Sequence, residues 1–180
     1  MTTTRMAISV RPVHVDEFPR LVPALVERFI ETVSTGASLG FLPPVSPVDA
    51  RNYWMSLSAD LRSGRRVLVG AFYDGQIVGS GQLSLPPWPN ARHRAELQKL
   101  LVSAAMQGQG VGTLLMAGLH TAAIEDGRTL ILLNARRDVA ERFYKPLGYK
   151  EIGVVPGYSL GSAGERIDSV SLYQELGSDP

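Results

Sequence analysis

The residues of this chain whose types and spacing could do chemistry converge on one stretch, Arg94 to Thr113, RAELQKLLVSAAMQGQGVGT. Leu100-Leu101-Val102 is an apolar run and reads as a buried strand, and Ser103 to Met106 reads as a turn. Gln107-Gly108-Gln109-Gly110-Val111-Gly112 then opens a helix. A strand feeding a glycine-rich turn and a helix N-terminus is a built anion site. The first N–H groups of the helix lack internal partners, and the helix dipole adds partial positive charge beside them. The expected anion is a pyrophosphate held by Gln107 through Thr113. Two nearby side chains could move protons. Glu96 lies six residues before Val102, so strict strand alternation puts both on one face. Its carboxylate could take the proton of an ammonium, directly or through water, or it could be a surface residue paired with Arg94. Tyr144 sits near the end of a short predicted helix. Its phenol could protonate a leaving group, or its ring could pack against Phe143 and the core.

The glycine spacing excludes two familiar phosphate loops. A Walker A loop needs Gly-Lys-Ser/Thr, and no lysine follows Gly110 or Gly112. A dinucleotide fold needs G-x-G-x-x-G beside a first strand, whereas these glycines stand at 108, 110 and 112 and follow a hairpin.

The elements that must position these residues read as follows. Ala7 to Arg11 is a strand candidate ended by Pro12. A helix from Asp16 to about Thr32 places Phe18, Leu21, Val22, Leu25, Val26 and Phe29 on one face, with a kink or a late start at Pro23. Thr35 to Pro47 is a shaped loop, and Val48 to Leu61 resumes helical spacing. Val67 to Tyr73 and Gln76 to Leu85 are strands joined by Asp74-Gly75, a hairpin signal. Pro86 to Asn90 is a rigid loop before the strand Ala95 to Val102. The helix from Gly110 should bury Val111, Leu114, Leu115, Gly118 and Ala122, stop at Gly127, and leave His120 facing solvent. Thr129 to Asn134 is a buried strand. Asp138 can cap a helix through Tyr144, and Tyr149 to Val155 and Ile167 to Leu172 are late strands, with Pro156-Gly157-Tyr158 as a closure of the cleft. This order predicts a mixed α/β sheet with hairpins early and crossover helices late.

Bulk properties bound the function. The chain has 180 residues, enough for one domain with a full core, expected to be ordered from about 7 to 176. A net charge of +1 argues against a nucleic-acid partner. The absence of cysteine removes disulfides, thiolate metal sites and a cysteine nucleophile. His14, His93 and His120 are far apart, so no metal is expected. The N-terminus lacks the apolar core of a signal peptide and no apolar run approaches a membrane span, which predicts a cytoplasmic protein without a membrane partner.

Gln107 to Gly112 matches the acetyl-CoA loop of the GNAT superfamily of N-acetyltransferases, Gln/Arg-x-x-Gly-x-Gly/Ala, at every defined position. Ala140-Glu-Arg-Phe-Tyr144-Lys-Pro-Leu-Gly-Tyr149 resembles the second signature of that family, with Arg137 where an asparagine often stands. Glu31 to Phe41, Arg94 to Leu100, Val139 to Tyr144 and Val155 to Tyr158 together resemble the tabtoxin-resistance acetyltransferases. The resemblance implies a single-domain, mostly antiparallel sheet flanked by helices, with a central strand splayed at the acetyl-CoA site. It implies acetyl-CoA as co-substrate. The pantetheine arm would pair along the backbone of Leu100, Leu101 and Val102, a free N–H near Val102 would bind the carbonyl oxygen, and Gln107, Gly108, Gln109, Gly110, Val111, Gly112 and Thr113 would hold the pyrophosphate. Glu96 would be the base and Tyr144 the acid. An aspartate of that family falls on Asn134, which cannot act as a base and would instead bind substrate or cofactor. Phe41 and Trp88 are candidate substrate walls or plain connectors. The implied acceptor is a primary amine on a small molecule, amino-acid-like or a toxin or antibiotic. A protein or peptide acceptor, or a non-catalytic CoA sensor, are the alternatives. The chain would act as a monomer or homodimer.

Overall fold

The structure, a computed structural model, describes residues 7–37 and 39–177. Seven strands form one sheet: β1 (Ile8–Pro12), β2 (Arg66–Tyr73), β3 (Gln76–Ser84), β4 (Arg94–Val102), β5 (Leu130–Arg136), β6 (Lys150–Leu160) and β7 (Arg166–Glu175). Their order across the sheet is β1-β2-β3-β4-β5-β7-β6. Asp74 and Gly75 take φ of 50° and 73°, the left-handed pair that a tight β2–β3 hairpin requires. All neighbours are antiparallel except β4 and β5. A parallel pair needs a crossover, and helix α4 (Val111–Glu125) supplies it.

Each face of the sheet has its own core. On one, Leu115 and Leu119 of α4 are fully buried against Val69, Leu83, Ala95 and Ile131. On the other, Phe18, Leu25 and Phe29 of α1 (Phe18–Ser34) and Trp54 of α2 (Pro47–Ser56) cover Leu68, Phe72 and Leu101. Helix α1 begins at Phe18 and continues through Pro23. The proline leaves the Pro19 C=O of the first turn without its i+4 donor, so one bond is lost near the helix end. The predicted helix Val48 to Leu61 instead starts at Pro47, capped by Ser46 whose Oγ accepts from Asp49 N–H at 3.0 Å, and divides at Leu57 into α2 and a short α3 (Ser58–Arg62).

Three further expectations are corrected. Helix α4 buries Met116, Leu119 and Ala123 beside Val111, Leu115 and Ala122, whereas Leu114 is 44% exposed. The sequence is apolar nearly all round, so periodicity could not choose the stripe. Asp138 is not a cap: the segment after β5 opens as α5 (Arg137–Val139), widens into a π turn at Ala140–Tyr144 and closes in a 3-10 turn at Lys145–Leu147. Pro156, Gly157 and Tyr158 lie inside β6 at a shift in its register with β7.

Strand β4 carries the irregularity that matters most. Gln82 pairs with Gln98 and Ser80 with Leu101, so three steps on β4 answer two on β3. Lys99 is the extra residue, at φ 50°. The bulge inverts the alternation. Ala95 and Leu97 face α4, as do Leu100 and Val102 beyond it, while Leu101 enters the α1 and α2 core. Glu96 therefore lies on the opposite face from Val102, contrary to the reading from even spacing.

His120 is half-buried rather than solvent-facing, with Nε2 3.0 Å from the Tyr149 hydroxyl at the foot of β6. Burial holds its imidazole below the ordinary value of 6.5. Folding thus favours the neutral ring, and below that pH the unfolded chain binds the extra proton. Stability should fall as pH drops through about 6.5 and level off once the folded ring protonates. His120→Gln should lose less urea resistance than the parent between about pH 7.5 and 5. Parallel pH profiles for the two proteins would remove His120 from this account.

Candidate functional site

Strands β4 and β5 pair only where Arg94 to Glu96 meet Leu130 to Leu132. Beyond that point β5 continues to Arg136 against β7, and the two parallel strands part. The β4 edge from Gln98 to Val102 has no β5 partner. A cleft of about 590 Å³ opens at this place. Leu100, Leu101 and Val102 form one wall, and Met106, Gln107 and Gly108 the next. Gly110 to Thr113 form the floor at the start of α4, and Val139, Arg142 and Phe143 the far wall.

Local sequence explains the floor. Gly108 and Gly110 stand at φ 74° and 80°, which L side chains adopt only with strain, and nothing lies within 4 Å of either absent Cβ. Gly110 caps α4, and the first helical bond runs from Leu114 N–H to Gly110 C=O at 3.1 Å. The N–H groups of Val111, Gly112 and Thr113 consequently have no helical acceptor and suit an anion. The preceding turn is tied down on several sides. Ser103 N–H donates to Val78 C=O at 2.8 Å and Ala104 N–H to the Glu31 carboxylate at 3.0 Å. The Gln107 amide donates to Val102 C=O at 3.2 Å. Gln109 turns away from the cleft and donates to Ala105 C=O at 2.8 Å. At Gly112 an added Cβ would come within 3.2 Å of the Phe143 ring, so glycine lets the far wall approach.

The cleft thus gathers nine of the ten residues expected to hold a cofactor, Gln109 being the exception in its side chain. Tyr144 lies behind the far wall, 7% exposed, with its ring edge-on to Phe143 and Tyr149. Burial raises its phenol well above the ordinary value, so it stays protonated and able to donate. Glu96 is on the other face of β4, 45% exposed in its side chain, with Arg94 Nη1 at 3.7 Å. Asn134 is exposed on the same face of β5 and accepts from the Ser171 hydroxyl at 2.7 Å. Phe41 is packed edge-on to Phe29 and Tyr53 in the second core. The structure does not bring Trp88 to the cleft. It is 66% exposed in the β3–β4 connection, which must lie at the Arg94 end of β4. Met106, Val139, Arg142 and Phe143 also line the cleft, beyond the residues that the sequence points to. The spacing of Val139, Arg142 and Phe143 on one helical face was the available signal. Arg142, held by Asp138 Oδ2 at 3.1 Å, brings positive charge to the rim. Among the described residues no group of three His, Cys, Asp or Glu is placed to hold a metal ion, and no helix is long and apolar enough to cross a membrane.

Residues 36–149 match the model of the acetyltransferase (GNAT) family. Solved structures share the fold. A protein from Salmonella typhimurium, assigned as an acetyltransferase and solved with its cofactor acetyl-CoA, superposes with a TM-score of 0.75 at 15% identity, over 97% of this chain and 96% of that one. A ribosomal-protein-alanine N-acetyltransferase from Brucella melitensis gives 0.74 at 21% identity, over 93% and 99%. A protein assigned as a phosphinothricin N-acetyltransferase gives 0.74 at 20% identity, over 96% and 100%.

The loop geometry makes a prediction about ligand and stability together. Gly110→Ala forces a left-handed alanine at the cap, which should cost about 1 kcal/mol of stability. It should also shrink the rise in melting temperature that saturating acetyl-CoA gives the parent. The check is thermal denaturation of both proteins with and without acetyl-CoA, and no rise in the parent would sink the assignment of the loop.

Proposed function

The chain belongs to the acetyltransferase (GNAT) family, and from that premise we propose that it moves the acetyl group of acetyl-CoA onto the primary amine of a small molecule. The observation that carries this reading is the unpaired β4 edge running straight into a helix N-terminus with three N–H groups to spare. An extended chain of amides can pair with such an edge as another strand would, and a pyrophosphate suits the glycine floor. Arg142 adds charge complementarity on the rim. When bound, acetyl-CoA supplies an activated acetyl thioester.

The chain's own groups divide the remaining work. Glu96 removes the proton from the acceptor ammonium, directly or through water, which frees the nitrogen lone pair for attack. A backbone N–H of the β4 edge near Val102 steadies the negative charge that develops on the carbonyl oxygen. Tyr144 gives its proton to the departing thiolate, a role that its buried, protonated phenol suits. As the carbon–nitrogen bond forms the carbon–sulfur bond breaks, leaving an amide and a thiol. Asn134 contacts the acceptor from β5, and Phe41 of the α1–α2 loop forms a further wall.

A small acceptor is favoured by the loop between α1 and α2, which lies across the acceptor face. Arg136 Nη1 donates to Gly36 C=O at 3.3 Å, and the Lys99 ammonium donates to Leu39 C=O. A loop held at both places narrows the approach. The resemblance to tabtoxin-resistance acetyltransferases points the same way, and the phosphinothricin neighbour is in keeping with it.

Release of CoA thiol against a panel of amines tests the transfer, and silence across the panel from a protein that binds acetyl-CoA would favour a sensor instead. Tyr144→Phe should lower kcat by about 10²-fold with little change in acetyl-CoA affinity. Unchanged turnover would exclude it as the acid. Glu96→Gln should lower kcat/KM for the amine by about 10²- to 10⁴-fold, again at constant acetyl-CoA affinity. A loss shared equally by acetyl-CoA binding would mark Glu96 as structural.

A further inference from the structure

Beneath the α1–α2 loop, on the face of β4 away from α4, five polar side chains meet. Arg66 at the start of β2 donates through Nη1 to Gln82 Oε1 and to Gln98 Oε1, each at 3.0 Å. The Tyr53 hydroxyl of α2 donates to the same Gln82 oxygen at 3.1 Å. Lys99, the bulge residue, sits with its ammonium 5.6 Å from the Tyr53 ring centre. Arg66 and Lys99 are half-buried like charges, and neither is paired with a carboxylate among the described residues. Burial, and the nearby Arg66 after it, hold the Lys99 ammonium below its ordinary value. Gln82 is fully buried, and two donors into Oε1 fix the orientation of its amide. Its Nε2 has no acceptor, and neither does Arg66 Nε. Buried donors are normally satisfied, and half-buried charges are normally paired. Two orphan donors stand beside two cations that lack a carboxylate, Lys99 having the Leu39 C=O as its acceptor, and the partner that would answer them together is an anionic acceptor.

We infer that Arg66, Lys99 and Gln82 form a subsite for the carboxylate of the acceptor, so that the acceptor is an amino-acid-type molecule carrying both a primary amine and a carboxylate. This rests on the transferase reading and names its substrate class. The bulge supports it. Regular alternation would put Lys99 on the α4 face, and the extra residue turns it to the side of Gln98 and Glu96. Glu96 stands three residues away, ~10 Å along the strand. One face of β4 then offers a carboxylate toward an ammonium and two cations toward a carboxylate, a complement to a zwitterion. Lys99 also adjoins Leu100, the first residue of the cleft wall, so the subsite lies across the strand from the splayed edge.

The test uses α-, β- and γ-amino acids and their matched carboxamides, with kcat/KM read from CoA-thiol release. The parent should prefer the acids by about 10- to 100-fold, the range for hydrogen bonds to a charged group. Lys99→Gln and Arg66→Gln should bring that ratio close to one, and Arg66→Lys should keep part of it. Loosening of the loop would slow acids and amides alike and so cancels in the ratio. Calorimetric binding of the same compounds to the CoA-loaded protein reads the subsite without turnover. Acids and amides turned over equally by the parent, or a ratio that neither variant moves, would overturn the subsite and leave the transferase standing. Acids that bind in a Lys99-dependent way with no amine ever acetylated would do the reverse.

Discussion

At Lys99, strand β4 holds one residue more than the strand beside it. Parallel pairing with β5 has already ended, three residues earlier. These two departures from a regular sheet occur on the same strand within one turn of the pleat, and the site depends on both. The loss of pairing exposes a backbone edge that a chain of amides can use. The bulge changes which side chains accompany that edge, returning Leu100 and Val102 to the α4 core and sending Lys99 to join Gln98 on the other side. An unpaired edge in the middle of a sheet would ordinarily be a liability. Here it is flanked by α4, by the π turn and by the α1–α2 loop, which restrict what can reach it.

The rest of the fold holds these irregularities in place. A parallel β4–β5 pair requires the α4 crossover, and the crossover places the helix N-terminus at the exit of β4. The same helix buries Leu115 and Leu119 against the sheet, so the position of the anion floor is fixed by the core. On the opposite wall, Phe143 can approach because residue 112 is glycine. Tyr144 is held by Phe143 and Tyr149, and Tyr149 in turn meets His120 of α4. Both walls of the cleft are therefore tied to one helix.

How much of this is legible in the sequence follows from how local each cause is. The Asp74-Gly75 turn and the Gly108 and Gly110 loop are readable because a positive φ is a demand on a single residue. The element order is readable because apolar runs and breakers are local too. The face of α4 is not, since a helix apolar nearly all round is oriented only by what it packs against. Even spacing puts Glu96 and Val102 on one face, a sound rule for a regular strand, but a bulge exists only relative to a partner strand. The burial of His120 depends on Tyr149, 29 residues on. The Arg66, Gln82 and Gln98 cluster joins residues 16 and 32 apart, each of an ordinary surface type. Trp88 is different: a connection between antiparallel neighbours must lie at the start of the second strand, and that constraint was available from the predicted hairpin order.

The geometry of a single strand thus separates two recognition problems. The edge of β4 and the α4 terminus present backbone groups, which in the proposed reaction would read an extended amide chain and a pyrophosphate and are indifferent to side-chain identity. The face of β4 presents Glu96, Gln98 and Lys99, which on the proposal would read the charges of whatever approaches from the α1–α2 side. Backbone recognition tolerates sequence change so long as the glycines remain, because it rests on φ rather than on functional groups. Side-chain recognition does not, since replacing Lys99 or Arg66 alters the charge pattern directly. A shared fold with proteins named for a ribosomal-protein alanine and for phosphinothricin is what such a division allows. The constraint common to the fold lies in the strand edge, and on the proposal above the acceptor would be decided by a few side chains on one face of β4, which Lys99 joins only because of the bulge.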